Sequence, residues 1–251
     1  MKLFSVIITA YNTHEMTVAH VKECVKCSKV PSEIIVVNDG GDPCLKGMLQ
    51  KLGKFDNCTL IYARIIQDIP WNYTGARNLG AFFASNPYII LEDSDHVPSY
   101  EFYKAAINIL EDHPEIVKVQ CKSRRRVFLK DLLSEKSQLE WKSLKGSRGT
   151  HPDTGAIRRH TFLQIKGFNE KFAGLYGWAH YDFNERLIQF GQITTIGWYN
   201  VIVDGIIDNL ERRARAQNHS LLKQLRKRTT DTCYPTYQEG VLNFDYEFSI
   251  L

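Results

Sequence analysis

Three acids, Glu92, Asp93 and Asp95, stand within four residues at the end of a short apolar run, Tyr88-Ile89-Ile90-Leu91. Carboxylates that close repel one another, so the group stays ionised only beside a cation or a donor-rich partner. Asp93 and Asp95 flank one residue, and in extended chain their side chains point the same way and can share one ion. Hard oxygen ligands at the mouth of a sheet suit Mg2+ or Mn2+ carrying a diphosphate. A solvated acidic loop has the same composition, and Asp-x-Asp is a short pattern to carry a metal site unaided.

Other residue types offer less. The six cysteines (Cys24, Cys27, Cys44, Cys58, Cys121, Cys233) are scattered. Cys24 and Cys27 form a C-x-x-C with no second pair at zinc-ribbon spacing, so thiols on a helix face in a reducing compartment are expected. Sequons at Asn57, Asn72 and Asn218 carry no weight without a secretory signal, and Met1-Lys2-Leu3-Phe4-Ser5-Val6 runs straight into a strand pattern. No apolar run approaches the ~20 residues of a membrane span. A cytoplasmic protein is expected.

With 251 residues, 43% hydrophobic and 24% charged, the chain can bury a full core as one domain, or as one domain with an appendage. The net charge of +4 hides a division. Residues 122–148 hold nine Lys/Arg against three acids and residues 211–228 seven against one, +6 in each, which leaves −8 on the remainder. Such segments are commonly solvated faces; they also suit an anionic glycan, a phosphorylated lipid or peripheral contact with an anionic membrane.

The elements that must position the acids follow from periodicity. Phe4–Ala10, Glu33–Asn38, Thr59–Ala63 and Ile116–Gln120 read as buried strands, and Tyr88 opens another. Helices are expected over Glu15–Cys27, over Gly75–Ala84, and from a Ser99 cap to the stop at Pro114. Strand and helix therefore alternate through the first 120 residues, with polar residues gathered after strand ends, as in an open α/β sheet that binds a nucleotide. Neither a G-x-G-x-x-G after the first strand nor a Walker loop is present, which argues against dinucleotide and P-loop enzymes. From Lys122 to Thr150 the pattern turns polar and irregular around one helix, Phe128–Trp141, and a basic helix and aromatic tail follow Ile206.

Four segments in order resemble family 2 glycosyltransferases. Ser5-Val6-Ile7-Ile8-Thr9-Ala10-Tyr11-Asn12 is similar to the first-strand motif, and Glu33 through Gly41 to the second-strand motif, which usually ends Asp-Asp-Gly-Ser. Gly75-Ala76-Arg77-Asn78-Leu79-Gly80-Ala81 with Leu91-Glu92-Asp93-Ser94-Asp95 resembles the Ala-Arg-Asn helix and D-x-D strand. Gly155 to Arg159, Gly167 to Phe172 and Gly177-Trp178 resemble the acceptor-side segment.

The resemblance implies an α/β GT-A (Rossmann-like) fold, a mostly parallel sheet flanked by helices with a basic helical C-terminal extension. It divides the chain into a transferase domain over 1–205 (donor half 1–98, acceptor half 99–205) and an extension over 206–251. The implied activity is metal-dependent transfer of a hexosyl group from a nucleoside diphosphate sugar, most often a UDP-sugar. The acceptor would be a hydroxyl of a glycan or lipid-linked molecule in polysaccharide biosynthesis, and the transfer would proceed with inversion. Thr9, Ala10, Tyr11, Asp39, Arg77, Asn78, Asp93 and Ser94 fall on donor-binding positions, and Asp93 and Asp95 on the metal, Mn2+ or Mg2+. The departures at Asn38 and Gly41 leave the base open.

The proton acceptor has two registers. The family pattern is Glu-Asp-x-Asp-Leu-x-x-Arg-Leu, with its base the Asp after the Glu. Aligning on Gly177-Trp178 puts Asp182 there, and this register is preferred; aligning on Arg186-Leu187 puts His180 there, with Asp182 orienting it. His180 and His219 are also possible metal ligands, and Trp178 either packs in the core or stacks on an acceptor sugar. Rival readings are a retaining transferase, a sugar nucleotidyltransferase, for which the loop Thr9-Ala10-Tyr11-Asn12 lacks the Gly-rich basic character, and a nucleic-acid-binding module, against which the −8 remainder argues.

Overall fold

The computed structural model describes residues 3–27, 30–99, 101–134, 142–143, 154–174, 177–203, 219–224 and 244–251. The core begins with β1 (Phe4–Ala10), in which every residue is buried. The chain continues through α1 (His14–Cys24), β2 (Glu33–Asp39), α2 (Cys44–Gln50), β3 (Thr59–Ile65), α3 (Tyr73–Phe83) and β4 (Tyr88–Asp93). It then runs through β5 (His96–Pro98), α4 (Phe102–Asp112), β6 (Ile116–Phe128), α5 (Leu129–Leu133), β7 (Lys142–Ser143), β8 (Gly155–Arg158) and α6 (Arg159–Gln164). A 3-10 turn (Glu170–Phe172), α7 (Ala179–Leu187), β9 (Gln192–Val203) and β10 (Tyr246–Ile250) complete the order.

These strands form one sheet in the order β10-β3-β2-β1-β4-β8-β6-β9-β5, with β7 on β6. The β3-β2-β1-β4 block is parallel, as is β6 with β9; β8, β5 and β10 pair antiparallel. Alternation along β1 divides the core. Val6 and Ile8 face one cluster with Val21, Tyr103 and Leu110, while Ile7 faces another with Leu79, Phe162, Phe168 and Phe183. Helix α3 approaches the second face closely because its small residues permit it. A Cβ at Gly80 would strike the Ile7 side chain. Asn72 caps this helix by accepting from the Gly75 N–H, which fixes its start one turn before Arg77.

Several expectations need correcting. Helix α1 ends at Cys24 rather than Cys27, and α4 is preceded by Glu101, with Ser99 contributing its carbonyl to the Phe102 N–H instead of a side-chain cap. The basic run after Lys122 is not irregular; β6 continues through it to Phe128, paired in parallel with β9. Of the helix expected over 128–141, α5 is the described part, and 135–141 lies outside the described residues. The basic helix expected after Ile206 is described only over 219–224, which is helical; 204–218 and 225–243 lie outside, with the domain boundary at 206, Asn218, Cys233, Tyr234 and Tyr237. The aromatic tail supplies an edge strand, where Phe248 stacks on Phe83 at 4.3 Å. No helix among the described residues is long and apolar enough to cross a membrane.

Candidate functional site

The register of the parallel block brings the expected donor residues to one edge. Thr9 lies opposite both Val37 and Asp93, and Ala10 opposite Asn38, so Tyr11, Asp39 and Asp93 follow at the C-terminal ends of adjacent strands. That edge is where open α/β sheets bind ligands.

At the tip of β4, donor atoms of Asp93, Asp95 and His96 lie within 4.8 Å of one another. His96 Nδ1 is 3.3 Å from Asp93 Oδ2 and 2.9 Å from Thr154 Oγ1, and Nε2 is 3.6 Å from Asp95 Oδ1. Two carboxylates and an imidazole form a donor set that suits Mn2+ better than Mg2+, a harder ion that prefers oxygen ligands alone. The spacing argument, drawn for Asp93 and Asp95, did not single out His96. Residues 94 and 95 form a turn, which returns His96 to the same side.

The third acid does not join them. Glu92 is fully buried on the opposite face, against His20 and Tyr103; burial pushes its carboxyl up, and the His20 and Tyr103 hydrogen bonds oppose that rise. The acidic triplet is thus split by strand alternation into two outward groups and one core group.

Arg77, Asn78 and Ser94, expected on the donor side, each make a side-chain contact within the protein. Arg77 is wholly buried, its guanidinium over the rings of Tyr73 and Phe168, and its Nη2 donates to Asp93 Oδ1 at 2.6 Å. It orients the Asp93 carboxylate. The Asn78 amide donates to Phe168 O and Glu170 Oε1 and accepts from the Phe168 N–H, so it ties α3 to the 167–170 turn. The Ser94 hydroxyl accepts from Thr13 Oγ1 at 2.9 Å. Thr9 Oγ1 is 3.4 Å from Asp93 Oδ1, and Ala10 is buried, so these two line the edge mainly through backbone.

Asp39 holds an open valence. One carboxylate oxygen accepts the Asn72 N–H, while Oδ1 is buried with no hydrogen-bond partner among the described residues. Burial pushes this carboxyl up to about 7. Beside it, Tyr11 is half exposed, with its hydroxyl 3.5 Å from Asp68 Oδ2. Gly40 turns the chain here at φ +76°, and a Cβ would sit 2.5 Å from the Gln67 carbonyl oxygen.

On the acceptor side, α7 separates the two base candidates. Asp182 is buried and paired with Arg186, whose Nε and Nη2 lie 3.0 and 2.9 Å from Oδ2 while Nη1 donates to the Ile165 carbonyl at 2.6 Å. Burial raises the Asp182 carboxyl, with Arg186 opposing. His180 precedes it by two positions, a rotation of about 200° around a helix, so the pair stands on opposite faces and Asp182 is not placed to orient His180. His180 packs beside Tyr181, ring centroids 4.2 Å apart. Trp178 caps the helix in a left-handed conformation, φ +70°, rare for a bulky residue. It stacks on His219 at 4.4 Å, and this contact places His219 against the aromatic cluster.

The model described as glycosyl transferase family 2 matches residues 5–172, well over half of the chain. Among solved structures, a mannosyltransferase from Pyrobaculum calidifontis in complex with GDP-Man and Mn2+ is similar, with TM-score 0.63, 14% identity, and coverage of 93% of this chain and 66% of that one. S. aureus TarS in complex with UDP-GlcNAc gives TM-score 0.61 at 14% identity over 82% of this chain and 60% of that one. GalNAc-T7 with UDP, GalNAc and Mn2+ gives 0.61 at 14% over 81% and 44%. The chain thus spans less than two thirds of each of these three. A comparison with curated protein sequences returned no match.

Proposed function

This chain belongs to glycosyl transferase family 2, and we propose that it transfers a sugar, with inversion, from a UDP-sugar to a hydroxyl of a glycan or lipid-linked acceptor. The observation that carries the reading is the convergence of Asp93, Asp95 and His96 at the strand edge that also presents Asp39. The similar structures hold GDP-Man with Mn2+, UDP-GlcNAc, and UDP, GalNAc and Mn2+ in the same fold.

The Asp39 carboxylate supports uracil. It offers one unused oxygen, which suits the single imide N–H of uracil; guanine presents two adjacent donors that pair best with both oxygens of a carboxylate. Tyr11 supplies an aromatic face beside it.

Asp93, Asp95 and His96 would hold a divalent cation, which neutralises charge building on a departing diphosphate. Arg77 keeps Asp93 turned toward that position, and Thr154 does the same for His96. On the acceptor side we assign the base to an imidazole nitrogen of His180. Asp182 is engaged with Arg186 at the i,i+4 spacing of the family's second Asp and its Arg, which supports the register that puts His180 on the base position. Trp178 and Tyr181, with centroids 5.0 Å apart, supply an aromatic surface for an acceptor ring. The two +6 segments would draw in an anionic acceptor or membrane surface. Five described cysteines are free thiols, the form a reducing compartment maintains, which supports a cytoplasmic placement.

The test is a panel of UDP- and GDP-sugars, each incubated with Mn2+ or EDTA, with release of free nucleoside diphosphate as readout. Turnover confined to UDP-sugars and abolished by EDTA is the expected result. Turnover of GDP-sugars alone overturns the base assignment, and full activity in EDTA overturns the metal assignment.

A further inference from the structure

Behind the metal-binding turn, on the other face of the sheet, lies a polar group that the transfer chemistry leaves unused. His20, Cys24, Glu92 and Tyr103 are all fully buried. His20 Nε2 is 2.8 Å from Glu92 Oε2, and Nδ1 is 3.2 Å from the carbonyl oxygen of Ser94. A carbonyl oxygen only accepts, so Nδ1 carries a proton. The contact between Nε2 and Oε2 also needs a proton, carried by one partner or the other, so ring and carboxyl together form a couple without net charge. Tyr103 Oη completes the group, 3.2 Å from Glu92 and 3.1 Å from Cys24 Sγ.

Ser94 is the residue between the two carboxylates. Its N–H donates to Thr9 O at 3.1 Å, its hydroxyl accepts from Thr13 Oγ1 at 2.9 Å, and its carbonyl accepts from His20. Each polar group of the residue is therefore held, and the carbonyl is held by a side chain whose other nitrogen is locked in place by Glu92.

We propose that His20 is a positioning residue, which fixes the Asp93–Asp95 turn through the Ser94 carbonyl and thereby sets how the two carboxylates face a shared cation. This rests on the metal reading above. A histidine that only filled the core would make no distinction between its two nitrogens, and the proposal does.

Two substitutions separate the nitrogens. In His20→Asn the amide N–H falls near the Nδ1 position and reaches Ser94; in His20→Gln it falls near Nε2 and reaches Glu92 instead. Hydrogen–deuterium exchange over residues 92–97 of the metal-free full chain reads the turn, and Mn2+ titration reads its consequence. His20→Gln is expected to speed exchange there and weaken Mn2+ binding by about tenfold, the lower end for losing a partner that orients metal ligands, with His20→Asn within about threefold of the unaltered chain. Equal exchange in the two variants overturns the proposal. If the unaltered chain binds no Mn2+, the metal reading falls, and the exchange contrast still decides whether His20 anchors the turn. Should both variants fail to fold, the 1H–15N spectrum of the unaltered protein decides. A slowly exchanging proton on His20 Nδ1 supports the anchor. An unprotonated Nδ1, or zinc bound to His20, Cys24 and Glu92 in the purified protein, overturns it.

Discussion

Arg77 and Asp93 meet at 2.6 Å, with the guanidinium entirely out of solvent and about 5 Å from the centroids of the Tyr73 and Phe168 rings. A buried cation of this kind aims a carboxylate. It also links α3 to β4, so the helix that packs on the sheet through Gly80 sets the angle of the Asp93 carboxylate.

Arg77→Lys should therefore impair the site while the charge is kept. Lysine is a point charge without the planar guanidinium that packs on the Tyr73 and Phe168 rings. We expect Mn2+ affinity to fall by about tenfold. Removing the charge with Arg77→Met takes the guanidinium from a partly exposed Asp93 and should cost about 2 kcal/mol of stability. Calorimetric titration and urea denaturation check the two effects separately.

Asp39 predicts a pH dependence. Its folded-state value, about 7, stands above the ordinary 3.8, so the folded protein binds the extra proton and this group's contribution to stability is fully present below about 4 and lost as pH rises through about 7. Asp39→Asn should flatten the stability profile over that window. An imide N–H donated to Oδ1 favours the ionised form, so UDP binding to the unaltered protein should release a proton between those limits, beyond any released with Asp39→Asn. Calorimetry in buffers of different ionisation enthalpy measures the difference, and none would contradict the assignment.

His180 and Asp182 should separate cleanly by substitution. His180→Ala is expected to leave the melting temperature nearly unchanged and reduce kcat by ~10²–10⁴. Asp182→Asn breaks a buried pair with Arg186 and should cost about 3 kcal/mol or more of stability. A stable Asp182→Asn protein that binds donor and has lost turnover would reverse the assignment.

The parallel half of the fold was legible because its strands are buried on both faces and read as largely apolar runs, Phe4–Ala10 and Glu33–Asn38 most plainly. Strand β6 was hidden because Lys122, Arg124, Arg125 and Arg126 interrupt any apolar pattern; its pairing with β9 is a long-range relationship that local composition does not carry. The spacing of Asp93 and Asp95 put their side chains on one side, and the structure brings both carboxylates together. His96 was missed for want of the turn at 94–95, and Glu92 was misgrouped because adjacent residues in a strand face opposite ways. The work of Arg77 and Asn78 could not be read from the chain, since their partners lie 16 and 90 or more residues away.

The most direct test of the account is UDP binding by calorimetry with Mn2+ and with EDTA, in the unaltered protein and in Asp95→Ala. The account predicts at least about tenfold tighter binding with Mn2+ in the unaltered protein, and no such gain once Asp95 is removed. Equal affinity in all four conditions would mean that Asp93, Asp95 and His96 hold no cation for the nucleotide, and would contradict the account.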